Sequence, residues 1–231
     1  MRYQTILFDA DGTLFDYDKA ERSALAQALF KSGITFTEER HEKYRSINSA
    51  KWKQLERGEI TKDELQISRF AEFFDTIGIN EVDAAVFNGN YLDFLADCPQ
   101  LIDGAEDVCR VLSRDRTLAI ITNGIERVQL RRFGKSEINQ YIKNIFVSEK
   151  IGYSKPAVPY FDYVLGAMGL TGKEDKKNVL VVGDSLTSDI QGGINSGIDA
   201  CYYNPADAKN DSGIMPSYEI RSLEQLLDIV R

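Results

Sequence analysis

Short apolar runs alternate with longer amphipathic stretches along most of the chain. The runs at Tyr3 to Phe8, Leu118 to Ile121, Ile145 to Val147, Val179 to Val182 and Ala200 to Tyr203 are rich in β-branched or aromatic residues. Each gives way to polar residues or glycine. Such brief and nearly continuous apolarity is what a strand buried on both faces requires, so the runs are predicted to be parallel strands covered by helices.

Between the first and second runs lie more than a hundred residues with helical periodicity and no strand signal. Ala24, Leu25, Ala28 and Leu29 share one helical face, with Gly33 beyond them as a stop. Thr61-Lys62-Asp63-Glu64 has the spacing of a capping box, and it opens the run Leu65, Phe70, Phe73, Phe74, Ile77 that Gly78 closes. Glu81 to Ala96 repeats the pattern. A crossover between parallel strands needs only one helix, so most of this stretch is an insertion. The expected protein is α/β: a doubly wound, Rossmann-like parallel sheet built from residues 1–15 and 96–231, carrying an inserted all-helical cap domain at 16–95. Asp103 to Leu112 is the helix returning to the core, and Ser222 to Gln225 cap a final helix through Val230.

Composition narrows the class. Over 231 residues, 43% are hydrophobic and 28% charged, the balance of a packed chain rather than a disordered one. The net charge is −8 and the longest basic cluster is the pair Arg131-Arg132. That field repels a nucleic-acid polymer, whereas a small anion can be held wherever a metal or a few donors reverse the field locally. No run approaches ~18 apolar residues, and Met1-Arg2 leads almost directly into the first strand, so a cytoplasmic protein without a membrane partner is expected. Cys98, Cys109 and Cys201 form no CxxC pair, which disfavours a disulfide framework or a structural zinc site. The single histidine, His41, would have to serve any Ser-His-Asp or Cys-His chemistry. It lies in the charged stretch Glu38 to Lys43 and is expected to be a solvated surface residue.

Open α/β sheets bind ligands at the carboxyl ends of their strands. Those positions carry Asp9-Ala10-Asp11-Gly12-Thr13 after the first strand and Thr122-Asn123-Gly124 after the second. Lys155-Pro156 lies in the loop beyond the third. Gly183-Asp184-Ser185 follows the fourth, with Asp189 five residues past Asp184. Several carboxylates in one crevice repel one another unless a hard divalent cation neutralises them, and oxygen donors suit Mg²⁺. One lysine and the N–H groups of a glycine-containing turn suit the outer oxygens of a phosphate. A carboxylate held against phosphorus can act as nucleophile, and a carboxyl two residues on can protonate the leaving oxygen and then activate water.

Taken in order, Asp9-x-Asp11-Gly12-Thr13, Thr122-Asn123, Lys155 and Gly183-Asp184-x4-Asp189 resemble the four motifs of the haloacid dehalogenase (HAD) superfamily. The resemblance implies a phosphatase with Asp9 as nucleophile and Asp11 as general acid and base. It gives Mg²⁺ to the Asp9 carboxylate, the Asp11 main-chain carbonyl and the Asp184 carboxylate, with Asp189 bridged through water. Thr122, the Asn123 amide and Lys155 would hold the substrate phosphate. Dehalogenase members lack the second aspartate, so Asp11 points to phosphate chemistry. A narrower stretch, Gly183 to Pro205 together with Phe8 to Asp16, is similar to the bacterial noncanonical pyrimidine nucleotidases, which dephosphorylate nucleoside 5′-monophosphates. The implied function is Mg²⁺-dependent hydrolysis of a small-molecule phosphomonoester through an aspartyl-phosphate, with the nucleotide as substrate. A phosphatase for phosphoglycolate or a sugar phosphate is the enzymatic alternative, a catalytically inactive HAD-like binding module the non-enzymatic one. Monomer and homodimer both remain open.

Other motif readings fail on their surroundings. Gly183-Asp184-Ser185-Leu186 spells a serine-esterase signature, but no downstream Asp-x-x-His exists. Asp9 to Leu14 begins like a Ca²⁺ loop, yet Leu14 stands where glycine is needed and Ala20 where glutamate is needed. Gly169 to Lys173 lacks the upstream glycine and the Ser/Thr of a P-loop and reads as a surface turn. A signalling receiver domain has no helical insert and places its acceptor on a middle strand. In the cap, Phe70, Phe73, Phe74 and Phe87 are expected to be core. Trp52 is expected to pack between helices, with stacking of a nucleobase as the alternative, and Lys53 and Arg57 are expected to be solvated.

Overall fold

The structure is a computed structural model that describes residues 2–231. It divides into two compact units, one running through Tyr17 and resuming at Pro99–Arg231, the other Asp18–Cys98.

Four helices build the second unit: α1 (Tyr17–Lys31), α2 (Glu38–Glu56), α3 (Lys62–Thr76) and α4 (Ala84–Ala96). Their starts are chemically marked. The Thr37 hydroxyl accepts from the Arg40 N–H, Thr61 and Glu64 complete a reciprocal capping box, and Asp83 accepts from the N–H groups of Ala85 and Val86. The interior is aromatic. Tyr44 stacks on Phe70 at 5.1 Å, and Phe87 meets Phe70 and Phe74 edge-on, each at 4.8 Å between centroids. Phe70, Phe73, Phe74 and Phe87 are buried, as their spacing predicts. Arg69 lies among them, 1% exposed. Its guanidinium donates to the amide oxygens of Asn48 (3.1 Å) and Asn88 (2.8 Å) and lies over the rings of Phe70 and Tyr91. Two amide dipoles and two ring faces thus stand in for water around this cation.

His41 corrects the expectation of a solvated residue. It is buried, with Nε2 2.8 Å from Glu21 Oε1. Positions 41, 44 and 48 recur at helical spacing, so His41 shares the inward face of α2 with Tyr44 and Asn48 despite its charged sequence neighbours. Glu21 occupies the buried face of α1, where burial pushes its carboxyl above the usual range against the pull of His41. Trp52 is half-buried, while Lys53 and Arg57 are exposed and Arg57 pairs with Glu59 at 2.5 Å.

The first unit is a six-stranded, wholly parallel sheet: β1 (Thr5–Phe8), β2 (Thr117–Thr122), β3 (Asn144–Val147), β4 (Val179–Gly183), β5 (Asp199–Tyr203) and β6 (Tyr218–Ile220). The helices of this unit are α5 (Ala105–Leu112), α6 (Glu126–Lys135), α7 (Ser148–Ile151), α8 (Val158–Ala167), α9 (Lys173–Lys176), α10 (Gln191–Ser196) and α11 (Leu226–Ile229). Alternation along the strands divides the core in two. Ile6, Phe8, Ile120 and Val182 pack with Val108, Cys109 and Leu226 of α5 and α11. Leu7, Ile121, Val181 and Ala200 pack on the other face with Tyr160, Phe161 and Val164 of α8. The sixth strand is not visible in the hydrophobic pattern, because Tyr218-Glu219-Ile220 is a short edge strand whose middle residue faces solvent. The three cysteines are buried, and burial pushes the thiols of Cys109 and Cys201 up to about 12. No helix among the described residues is long and apolar enough to cross a membrane.

The strand order β3-β2-β1-β4-β5-β6 reverses direction at β1. Chains leaving β1 and β4 therefore diverge to opposite faces and open a crevice at their carboxyl ends. Asp9 and Asp184 are the first residues beyond those two strands.

The two phenylalanine classes of the helical unit should separate cleanly. Phe70→Ala should cost about 3–5 kcal/mol of stability through loss of buried area and the cavity left behind, whereas Phe30→Ala, at a position 85% exposed, should change it by less than about 0.5 kcal/mol. Urea unfolding followed by the fluorescence of Trp52, the single tryptophan, reads both.

Candidate active site

Asp9 is pinned where β1 ends, its N–H donating to the Val182 carbonyl of β4 at 2.8 Å. Its carboxylate meets Lys155, which is 2% exposed. The Lys155 ammonium donates to Asp9 Oδ1 at 2.5 Å, to Asp189 Oδ1 at 2.6 Å and to the Ile121 carbonyl at 3.0 Å. All three of its N–H donors are thereby used. Burial works against this ammonium, but Asp189 and Asp9 outweigh it and raise its pKa above the ordinary lysine value.

Asn123 governs the position of Lys155. Its amide nitrogen donates to the Lys155 carbonyl and its oxygen accepts from the Lys155 N–H, both at 2.9 Å, so one side chain grips both ends of that residue. Thr122 is buried, and its hydroxyl oxygen accepts from the Gly124 N–H at 3.0 Å. The two residues expected to hold phosphate beside Lys155 thus stiffen the turn that follows β2.

After β4 the chain makes a π-helical turn, Leu186–Ile190, a form that recurs at functional sites. It swings Asp189 back under Gly183, and the Ser185 N–H donates to Asp189 Oδ2 at 3.1 Å. A side chain at Gly183 is excluded, since its Cβ would lie 2.2 Å from that oxygen. Asp184 is exposed, and the Thr13 hydroxyl donates to its Oδ1 at 3.2 Å. Gly12 adopts φ +84°, and a Cβ there would stand 2.5 Å from Asp184 Oδ2. The two turns therefore close on each other only because one of them carries glycine.

Asp9, Asp184 and Asp189 each offer an oxygen within 4.8 Å of the others. Burial, followed by the charges of Asp189 and Asp184, raises Asp9 well above the ordinary carboxylate range, with Lys155 pulling the other way. Desolvation and then Asp189 push Asp184 up to about 7. The repulsion from Asp189 is the part of this shift that a bound cation would remove. Three hard oxygen donors, one ammonium and a surplus of negative charge fit a hard divalent cation. Asp189, expected one water away from such an ion, has its carboxylate inside the cluster itself.

Asp11 faces elsewhere. Its Oδ1 accepts from Arg132 Nη2 and its Oδ2 from Gln129 Nε2, both side chains projecting from α6. Neither residue is evident from the strand-end motifs. A signal was nevertheless present: Gln129 and Arg132 alternate with Val128 and Phe133 on the buried face of α6, where a polar residue needs a partner.

This arrangement of acidic strand ends around a buried lysine is that of a hydrolase class. The sequence pattern of the haloacid dehalogenase-like hydrolases matches residues 3–197, and the chain belongs to that family. It is 39% identical over 229 residues to the HAD-hydrolase YfnB of Bacillus subtilis, covering 99% of this chain and 96% of that one. A crystal structure of YfnB bound to magnesium matches it with a TM-score of 0.93 at 38% identity, covering 100% of both chains. The pyrimidine 5′-nucleotidase PynA of Streptococcus pneumoniae is 37% identical, with 99% of this chain and 95% of that one covered. For the pyrimidine 5′-nucleotidase YjjG of Escherichia coli the identity is 31%, with coverage of 98% and 97%.

Cation binding at this cluster should depend on pH with a defined sign. A carboxyl raised to about 7 holds its proton below that value, and a divalent cation must displace it. Affinity should be full above about pH 7 and fall by up to about tenfold per unit below it, with proton release on binding. Calorimetric titration with Mg²⁺ in buffers of different ionisation heat measures both quantities, and an affinity unchanged down to about pH 5.5 would contradict the assignment.

Proposed function

We propose that this hydrolase is a Mg²⁺-dependent phosphomonoesterase that works through an aspartyl-phosphate on Asp9, and that its substrates are pyrimidine nucleoside 5′-monophosphates. The observation that carries the reading is the buried Lys155 ammonium bridging Asp9 and Asp189 at the point where the sheet reverses direction. This is a nucleophile held beside a cation that can donate to a phosphate oxygen.

In the first half-reaction the Asp9 carboxylate attacks phosphorus. The ester oxygen leaves with a proton from Asp11, and the acyl-phosphate bond forms as the phosphorus–ester bond breaks. In the second half, Asp11 takes a proton from the water that attacks phosphorus, and Asp9 departs as the free carboxylate. On substrate binding Lys155 exchanges its contact with Asp9 for a phosphoryl oxygen, because all three of its N–H donors are otherwise in use. Asn123 fixes Lys155, and the turn containing Thr122 contributes further donors. Asp9, Asp184 and the Asp11 carbonyl would hold Mg²⁺, with Asp189 bridged through water, and the ion when bound offsets the carboxylates' repulsion and the phosphate's charge. The full-length similarity to PynA and YjjG supports the nucleotide as leaving group. The surplus negative charge supports a small molecule over a polymer.

A panel of phosphorylated metabolites with phosphate-release readout tests the substrate. Pyrimidine monophosphates should exceed phosphoglycolate and hexose phosphates by at least about tenfold in kcat/KM, the worth of one or two specific contacts to the base. A sugar phosphate or phosphoglycolate at the head of the panel would overturn the nucleotidase reading.

The roles of the two N-terminal aspartates separate by substitution. Asp9→Asn should abolish turnover, whereas Asp11→Asn should slow it by about 10²-fold or more while leaving a phosphorylated enzyme detectable. Near-normal turnover in Asp9→Asn would exclude Asp9 as nucleophile.

A further inference from the structure

We propose that Arg132, assisted by Gln129, is the positioning residue for the Asp11 carboxyl, aiming it at the ester oxygen that receives its proton. The proposal rests on the reading of Asp11 as the proton donor.

The two residues stand three apart on α6 and meet different oxygens of the same carboxylate, which fixes its rotation as well as its place. A further bond closes the group, with Arg132 Nη2 donating to Gln129 Oε1 at 3.1 Å. The amide of Gln129 is thereby oriented, its oxygen toward Arg132 and its nitrogen toward Asp11. Below the guanidinium lies Phe15, its ring centroid 4.5 Å from the Arg132 Cζ. Phe15 belongs to the turn that carries Asp11, where the Gly12 N–H donates to the Phe15 carbonyl at 2.9 Å. Arg132 thus contacts the Asp11 turn at two points.

Two further details distinguish this from ordinary packing. Arg132 is fully buried, yet its Nε and Nη1 have no hydrogen-bond partner among the described residues. An arginine that merely fastened a helix would be expected to satisfy its whole fork, because each unmet buried donor is costly. Here the side chain forgoes two donors and aims a third at a carboxylate that remains partly open to solvent. The backbone also makes room: a Cβ at Gly124 would lie 2.2 Å from Gln129 Nε2. The glycine after Thr122-Asn123 is thus the space that lets the amide reach Asp11. One helix following β2 therefore ties the phosphate-binding turn to the proton donor.

The test uses the dependence on leaving group. An alkyl ester needs a proton on its departing oxygen, whereas 2,4-dinitrophenolate leaves without one. Arg132→Met should lower kcat for an alkyl phosphate at least about tenfold more than for 2,4-dinitrophenyl phosphate, with KM little changed, and Arg132→Lys should recover part of the loss. An equal loss on both esters, no loss, or Arg132→Lys no better than Arg132→Met would overturn the assignment. Should Arg132→Met fail to fold by circular dichroism, Gln129→Met carries the same comparison, with the same outcomes for and against. Asp11→Asn in the same assay separates the two levels: an equal loss on both esters there strikes the reading of Asp11 as proton donor, whereas a loss confined to the alkyl ester there beside an unselective Arg132→Met strikes only the role of Arg132.

Discussion

A lysine ammonium removed from water is the constraint around which the sheet's carboxyl edge is arranged. Lys155 has no solvent to screen it, so its charge must be met by protein, and it is met by Asp9 after β1, Asp189 after β4 and a carbonyl of β2. Three strand ends are thereby fixed in mutual register by one cation. The same contact leaves a carboxylate surplus, because Asp184 adds a further negative charge to the cluster. That surplus makes the site receptive to a hard cation. The local geometry follows from the constraint: Gly183 makes room for Asp189, Gly12 for Asp184, and Asn123 holds the Lys155 backbone from both sides.

All the residues of the candidate site come from the sheet unit. The four helices between Asp18 and Cys98 supply none, and their interior is organised by its own logic of stacked aromatics around the buried Arg69. On the proposed reading the chemistry belongs to the first unit, which grips only the phosphoryl group. What distinguishes one phosphomonoester from another is then a separate question, to be answered by substrate comparison and not by the strand-end motifs.

The central strands were legible because burial on both faces leaves an unmistakable signature in runs such as Ile6-Leu7-Phe8 and Val179 to Val182. The acidic motifs were legible because strand ends are where such sheets carry chemistry. Less visible was whatever depends on a partner distant in sequence. His41 looks solvated among Glu38, Glu39, Arg40, Glu42 and Lys43, and its burial is met by α1, with the Glu21 carboxylate at one ring nitrogen and Arg22 Nη1 3.4 Å from the other. Arg132 reads as half of a basic pair, and only the fold brings Asp11 to it across 121 positions. Tyr218 to Ile220 is too short and too polar for a periodicity to register, and pairing with β5 is what makes it a strand.

The account's central claim is that Asp9, held against Lys155, carries the phosphoryl group. Rapid mixing with substrate, quenching in borohydride and peptide mass mapping test it directly, because borohydride reduces an acyl-phosphate to an alcohol. The account predicts homoserine at position 9 and at no other aspartate. Full turnover with residue 9 recovered as aspartate, or with the reduced residue elsewhere, would contradict it.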